Sequence, residues 1–209
     1  MLNHRRISKL LSLMLRHRTE EFGLEMDEYG FVPLDAVVRA VQGRYTEVEE
    51  KDIRDLADAP DQHRFEIVEQ GIRALYGHSF FVEMDGEPME PPEHLYMWCT
   101  TRAAQRFRDQ GIMPVDRYYV HLSLSREVAE ARSRQGDTSC IVEVLAHEAH
   151  AEGIKFYSRG EVVLTREIPP EFVGEISGFE PGAADEGDGN ANPADMSYGR
   201  KMRRGTRRP

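Results

Sequence analysis

The residues best suited to chemistry lie in one short run, Arg73-Ala74-Leu75-Tyr76-Gly77-His78-Ser79, closing a polar segment that begins at Gln70-Gly71. A guanidinium reads phosphate through two parallel hydrogen bonds, and backbone N–H, imidazole and hydroxyl groups supply donors to the remaining oxygens. Gly77 has no Cβ and lets backbone come close to a ligand. By itself the run is equally a strand ending in a turn, with a satisfied histidine and serine, because short motifs match by chance. A second cluster, Arg16-His17-Arg18, follows the apolar run Leu10-Leu11-Ser12-Leu13-Met14-Leu15. Cations there either cap a helix C-terminus, where they complement exposed carbonyls, or point into a cleft.

The elements that must carry these groups are legible from periodicity. Ile7, Leu10, Leu11 and Met14 recur at three- and four-residue steps and predict a helix over Arg5–His17. Gly30 leads into a short strand, and Pro33 opens a second helix with Leu34, Val37, Val38 and Val41 on its apolar face. A third helix is predicted from Glu47 to Ala57, stopped by Pro60. Two strands follow, Arg64–Val68 and Ile72–Tyr76, joined at Glu69-Gln70-Gly71. Helices followed by a hairpin make residues 1–84 a winged-helix-like lobe. The stretch 85–93, with Gly86, Pro88, Pro91 and Pro92, is the expected linker.

Beyond the linker, short strands dominate. Strands are predicted at Leu95–Cys99, Tyr118–Ser123, Cys140–Leu145 and Val162–Thr165, with helices at Thr101–Gln110 and Arg126–Arg134 and a helical segment ending near Ala151. Gly153 to Tyr157 and Gly160 are expected to shape a loop, and Ile168–Val173 to close the packed region. Residues 94–177 thus form a second lobe, and the expected class is α+β. From 178 to 209 the composition turns to Gly, Ala, Asp, Asn and Pro and then to Arg200, Lys201, Arg203, Arg204, Arg207 and Arg208. Such a segment buries too little apolar surface to offset its ordering entropy, and a disordered tail is expected, solvated or loosely holding RNA.

Composition limits the function classes. With 40% hydrophobic and 31% charged residues and no long apolar run, the chain is expected to act without a membrane. A net charge of −10 argues against coating nucleic acid through bulk electrostatics, yet permits a local basic pocket. Cys99 and Cys140 make neither a disulfide framework nor a zinc spacing, so a cytoplasmic location is expected. His147-Glu148-Ala149-His150 lacks the four-residue histidine spacing of a zinc protease helix and is read as an exposed helical turn. A monomer is expected.

Four separated segments occur in one order: Ser8 through His17, Arg73 through Ser79, Val120-His121-Leu122-Ser123, and Leu164 through Val173. With these, the chain resembles the RNA 2'-phosphotransferases of the KptA type over about residues 3 to 175. The resemblance implies a winged-helix-like RNA lobe packed on an ADP-ribosyltransferase-like lobe, with the active site between them. It implies removal of an internal RNA 2'-phosphate, as left by tRNA splicing, with NAD consumed and no metal needed. In that family the 2'-phosphate attacks the nicotinamide ribose, giving an ADP-ribosylated RNA phosphate. The ribose 2''-hydroxyl then attacks the phosphate, releasing ADP-ribose 1'',2''-cyclic phosphate. Carried over residue by residue, the catalytic group falls on Arg16, His17, Arg73 and Arg134, with Arg132 the other arginine within reach of the last role. Gly77, His78 and Ser79 become expected RNA phosphate ligands, and Cys99, Thr100, His121 and Ser123 expected NAD contacts. The arginines are expected to act mostly on the second step, where charge builds on phosphoryl oxygens.

Several positions depart from the family pattern. Where the family usually has Leu-Tyr-His-Gly-Thr-Ser, this chain has Leu95-Tyr96-Met97-Trp98-Cys99-Thr100-Thr101, without the histidine or the glycine in either register. The family's Asn-Gln before Gly-His-Ser is Leu75-Tyr76 here, and a common histidine before Val-His-Leu-Ser is Tyr119. Two other readings share the same residues: an ADP-ribosyltransferase that modifies another phosphate acceptor and stops after one step, and a phosphorylated-RNA binder without catalysis.

Overall fold

The apolar stripe of Ile7, Leu10, Leu11, Met14 and Leu15 winds into helix α1, His4–Arg16, and is buried along its length. The computed structural model describes residues 3–60, 63–132 and 139–178. Asn3 caps α1 by accepting the Arg6 N–H at 3.2 Å, and the Thr19 hydroxyl donates to the Met14 carbonyl at 2.7 Å just beyond its end. Helix α2, Leu34–Gln42, begins directly after Pro33. Helix α3, Glu50–Ala57, starts three residues later than its apolar spacing predicts, because Glu49 and Asp52 form a reciprocal capping box at that point.

Strands β1, Phe65–Val68, and β2, Gly71–Ala74, pair antiparallel, and Val32 adds a single bridge to Ile72. Gly71 lies against the backbone of Val32. Its φ is +138°, and a Cβ there would stand 2.2 Å from the Val32 carbonyl oxygen. Gly71→Ala is therefore expected to cost at least about 2 kcal/mol, read as a lowered urea midpoint with an unchanged slope. A wild-type midpoint would mean that the Val32 bridge can open at no cost.

The second half contains β3 (His94–Thr100), α4 (Thr101–Gln110), β4 (Val120–Leu122), α5 (Arg126–Ala131), β5 (Ser139–Leu145), α6 (Ala146–Ala151), β6 (Tyr157–Arg159), β7 (Val162–Thr165) and β8 (Val173–Ser177). They form two three-stranded antiparallel sheets, β3-β5-β8 and β4-β7-β6. Tyr96 and Ser123 join the sheets by exchanging both backbone hydrogen bonds, at 2.9 and 2.7 Å. Small antiparallel sheets with helices packed on them make the chain α+β, as its sequence predicts.

One core gathers residues between Ile7 and Ala74, and a second gathers residues between Leu95 and Ile176. A third small cluster, Tyr119, Val162 and Leu164, packs against Tyr76 and Met84 and so joins the two halves. Between 85 and 93 the only regular pairing is a bridge from Met89 to Phe156. Strands β6 and β8 were not expected: the first lies in the predicted loop, the second after the predicted end of packing. The helix predicted over Arg126–Arg134 is regular to Ala131, and its last residue, Arg134, lies outside the described residues, as does the basic tail. Among the described residues, no helix is long and apolar enough to cross a membrane.

Candidate active site

Arg16 is the last residue of α1, and the run after β2 folds back over it. Ser79 makes that fold-back, its backbone N–H donating to the Arg16 carbonyl at 2.9 Å and its hydroxyl to the same oxygen at 3.2 Å. The chain passes the guanidinium at Gly77, whose φ is +91° and where a Cβ would stand 3.3 Å from Arg16 Cδ and Nη1. The guanidinium lies over the Tyr76 ring at 4.8 Å and the Phe65 ring at 5.7 Å. Its Nε and Nη2 are buried without a hydrogen-bond partner among the described residues. Burial pushes the Arg16 pKa down to about 10, with Arg64 and Arg117 acting in the same direction against Tyr76. His17 is exposed at the helix end, its pKa lowered by partial desolvation and then by Arg16, Arg117 and Arg18.

Two imidazoles face the same region. Among the described residues, His78 is buried with no partner for Nε2, and His121 likewise has a buried, unpartnered Nε2. The Nδ1 of His121 lies 2.9 Å from the Tyr119 carbonyl oxygen, which can only accept, so Nδ1 carries the proton and Nε2 offers a lone pair in the neutral ring. Tyr76 links the two sides: its ring underlies Arg16 and meets the His121 ring edge-on at 6.0 Å. Both imidazole pKa values are pushed down to about 3, first by burial; Arg16 leads the charges acting on His78 and Arg117 those acting on His121.

These shifts set a pH dependence. Each folded-state pKa lies below the ordinary histidine value of 6.5, so on acidification the unfolded chain takes up protons that the folded chain refuses. Stability is then lost as the pH falls from about 6.5 toward 3, by up to about 1.4 kcal/mol per pH unit for each histidine. Urea unfolding between pH 7 and 4 is expected to be less steeply acid-sensitive in His78→Gln and His121→Gln than in wild type. Equal slopes would mean that the two rings protonate freely in the fold.

Arg73 is buried but engaged. It binds Glu66 across the β1–β2 ladder at 2.6 Å and Asp85 at 2.9 Å, and stacks over Phe31 at 4.2 Å. Asp85 in turn takes Arg159 of β6 at 2.6 Å, so a chain of alternating charges runs from β1 to the second sheet pair. Burial lowers the Arg159 pKa, with Asp85 opposing. Arg73 reaches the site through its positive charge, which acts on His78.

In the second half, His121 and Ser123 lie two apart, His121 on β4 and Ser123 just past its end. Ser123 is buried, and its hydroxyl accepts from Arg132 Nη1 at 3.4 Å, while Arg132 Nη2 pairs with Glu161. Thr100 caps α4 by accepting the Ala103 N–H at 3.3 Å. Cys99 sits inside the second core, where burial pushes its thiol up to about 12 and keeps it neutral. Met97 packs against that same core, and Trp98 is half-buried. Arg134 lies outside the described residues.

Arg16, His17, Gly77, His78, Ser79 and His121 are thus brought together, with Arg73 behind His78. The structure adds residues that the motif had passed over. Tyr76 enters the sequence reading as a strand end and a departure from the family pattern, not as a site residue, and Glu66, Asp85, Arg117 and Arg159 have no motif to mark them. The one available signal was charge: Asp85 and Arg159 are oppositely charged, but 74 positions apart.

The chain matches the family described as RNA 2'-phosphotransferase, Tpt1 / KptA family, over residues 3–167. It is 35% identical over 171 residues to a probable RNA 2'-phosphotransferase of Thermococcus kodakarensis, covering 81% of this chain and 95% of the relative. It is 36% identical over 171 residues to one of Bacillus thuringiensis, covering 80% and 92%. It is 34% identical over 176 residues to one of Rhizobium rhizogenes, covering 83% and 95%. Since the match takes in the whole first core, the second core except Ile168 and Ile176, and every described candidate residue, this chain belongs to the RNA 2'-phosphotransferase, Tpt1 / KptA family.

Proposed function

We propose that this protein removes an internal 2'-phosphate from RNA with consumption of NAD, gripping the phosphate between the end of α1 and the run Gly77-His78-Ser79. The observation that carries this reading is the convergence of buried polar atoms without partners: Nε and Nη2 of Arg16 and Nε2 of His78 and His121. Leaving such groups unpaired costs about 1–3 kcal/mol each, more for charged ones; a phosphate recovers that cost at the donors of Arg16 and His78, and a ligand hydroxyl recovers it at the acceptor Nε2 of His121. The Tyr76 and Phe65 rings cover the Arg16 guanidinium and its Nε and Nη2 are buried, so these donors act on developing phosphoryl charge more strongly than in solution.

The residues divide the work by what each has free. Arg16 offers two N–H groups to phosphate oxygens. His17, exposed at the helix end, is placed for proton transfer or orientation. Arg73, already held by Glu66 and Asp85, contributes a fixed positive field through His78. Ser79 donates to the α1 carbonyl and holds the fold-back in place. His121 fits a nucleotide sugar, because its neutral Nε2 is an acceptor for a hydroxyl and Ser123 lies two residues beyond it. NAD would supply an electrophilic anomeric carbon with nicotinamide as leaving group, held on His121 and Ser123, with Thr100 and Cys99 in the adjoining strand. Arg134 completes the proposed catalytic group.

The two cores support two lobes, 1–84 and 94–177, joined by 85–93 and followed by a tail from 178 to 209. Three helices with a hairpin and an accessory bridge favour a winged-helix-like first lobe, and paired small sheets an ADP-ribosyltransferase-like second. The reading fits a cytoplasmic enzyme of tRNA processing whose partners are NAD and 2'-phosphorylated RNA.

The test is incubation with NAD and an RNA carrying one internal 2'-phosphate, with every product weighed by mass. Conversion to RNA with a 2'-hydroxyl, dependent on NAD, and release of ADP-ribose cyclic phosphate are the expected results. A stable RNA–ADP-ribose adduct would instead make the protein a one-step ADP-ribosyltransferase. Unchanged RNA and NAD would overturn the reading.

A further inference from the structure

Among the exposed large hydrophobic residues, Phe81 and Tyr118 are paired ring to ring beside the phosphate grip. Their centroids are 4.9 Å apart with planes at 62°, yet Phe81 is 49% and Tyr118 40% exposed. Single exposed apolar residues are ordinary; a preassembled aromatic pair spanning two halves of a protein is not explained by that base level.

The pair is also fixed in position. The Tyr118 backbone N–H donates to the His78 carbonyl at 3.2 Å, so this side of the pair is hydrogen-bonded to the residue whose Nε2 lacks a partner. One residue on, Tyr119 is buried, its hydroxyl donating to the Val82 carbonyl at 3.1 Å, and its ring meets that of Tyr118 at 5.3 Å. The segment carrying Phe81 is therefore tied down at His78 and at Val82. Arg117 immediately precedes Tyr118, and its charge reaches Arg16, His17 and His121. A rigid aromatic surface next to a cation and an anion grip is the composition by which proteins hold single-stranded nucleic acid: the charge holds the backbone and the rings stack on a base.

We propose that Phe81 and Tyr118 form a stacking platform for an RNA base within one nucleotide of the 2'-phosphate. The inference rests on the proposed function and assigns it a second contact. Because every base has a π-face, the platform tolerates sequence and selects unpaired RNA, since a base held in a duplex cannot present its face. Its occupant is an RNA base and not the adenine of NAD: its first backbone tie is to His78 of the grip, and the Tyr118 and Phe81 rings open to solvent, toward which a chain can extend in both directions.

The test measures binding by the wild type, Phe81→Ala, Tyr118→Ala, the double variant and Phe81→Trp. The probes are a 2'-phosphorylated oligoribonucleotide, the same oligonucleotide abasic at the phosphorylated or neighbouring nucleotides, and an unphosphorylated control. Phe81→Ala is expected to weaken binding of the intact phosphorylated RNA by on the order of tenfold, with Phe81→Trp retaining it. The abasic RNA should bind wild type and Phe81→Ala alike, and KM for NAD should not move. Equal affinity of wild type and both alanine variants for intact RNA would overturn the platform. So would an equal loss toward intact and abasic RNA, which would mark a structural effect, or a loss confined to NAD, which would assign the pair to the other substrate. Failure of the wild type to distinguish phosphorylated from unphosphorylated RNA would sink the proposed function along with the platform. Preference for the phosphate with indifference to the neighbouring base would sink the platform alone.

Discussion

Arg16→Met is expected to lower turnover of 2'-phosphorylated RNA by about a hundredfold or more, while leaving the protein as stable as wild type or more so. The two halves of that expectation have one cause. Taking a guanidinium out of water costs several kcal/mol after relaxation, and here Nε and Nη2 recover none of it through hydrogen bonds to the described residues. The rings of Tyr76 and Phe65 return about 0.5–2 kcal/mol through their π-faces, which is the smaller amount. Methionine fills similar space without the charge, so the fold should not lose by the exchange. Arg16→Lys should be nearly as inactive as methionine, because an ammonium cannot present two coplanar N–H groups. Thermal unfolding and single-turnover rates on the same preparations check this. A variant that unfolds well below wild type would mean that Arg16 holds the structure together, and the proposed division between strain and function would be wrong.

Arg73→Ala should fail in the opposite manner, losing both activity and stability. Its guanidinium is closed in by Glu66, Asp85 and the Phe31 ring, so removing it leaves one carboxylate without its cation and another with only Arg159. Because both carboxylates are partly exposed, water recovers some of the loss, and a destabilisation of about 2–3 kcal/mol is expected. Activity should drop by about a hundredfold as the field at His78 is lost and the tie from β2 to residue 85 loosens. Combining Arg73→Ala with Glu66→Gln separates the two effects. The second change removes the abandoned charge and should restore part of the stability with none of the activity. Recovery of both together would reduce Arg73 to a structural strut.

The contrast between these two arginines measures how far the sequence carries. Both belong to the same ordered set of motif residues, and nothing in their neighbours along the chain distinguishes an engaged guanidinium from an unsatisfied one. Glu66 could be paired with Arg73 on paper once the hairpin register was known, since the two are seven residues apart across a two-residue turn. Asp85 could not, because it lies in a stretch whose prolines and glycine mark it only as irregular. Its partner Arg159 belongs to β6, a three-residue strand of Tyr157-Ser158-Arg159 that carries no strong apolar pattern and exists because β7 pairs with it. Strand β8 was missed for the same reason, being held to β5 across a register shift.

Local order, by contrast, followed from local causes. The three- and four-residue spacing of apolar side chains located α1, Pro33 located the start of α2, and Gly111 the end of α4. The residue types of the run Arg73 through Ser79 suggested a phosphate grip, and the other ordered segments gave that suggestion its weight. By itself the sequence determined the elements other than β6 and β8, their order and the family, because those depend on side-chain pattern within short windows. Only the tertiary structure decided which polar atoms are satisfied. It set Tyr76 between Arg16 and His121, closed Arg73 between two carboxylates, turned Cys99 into the core and left Phe81 and Tyr118 open beside His78. Burial and hydrogen-bond partners depend on contacts between residues far apart in the chain, and no local pattern encodes them.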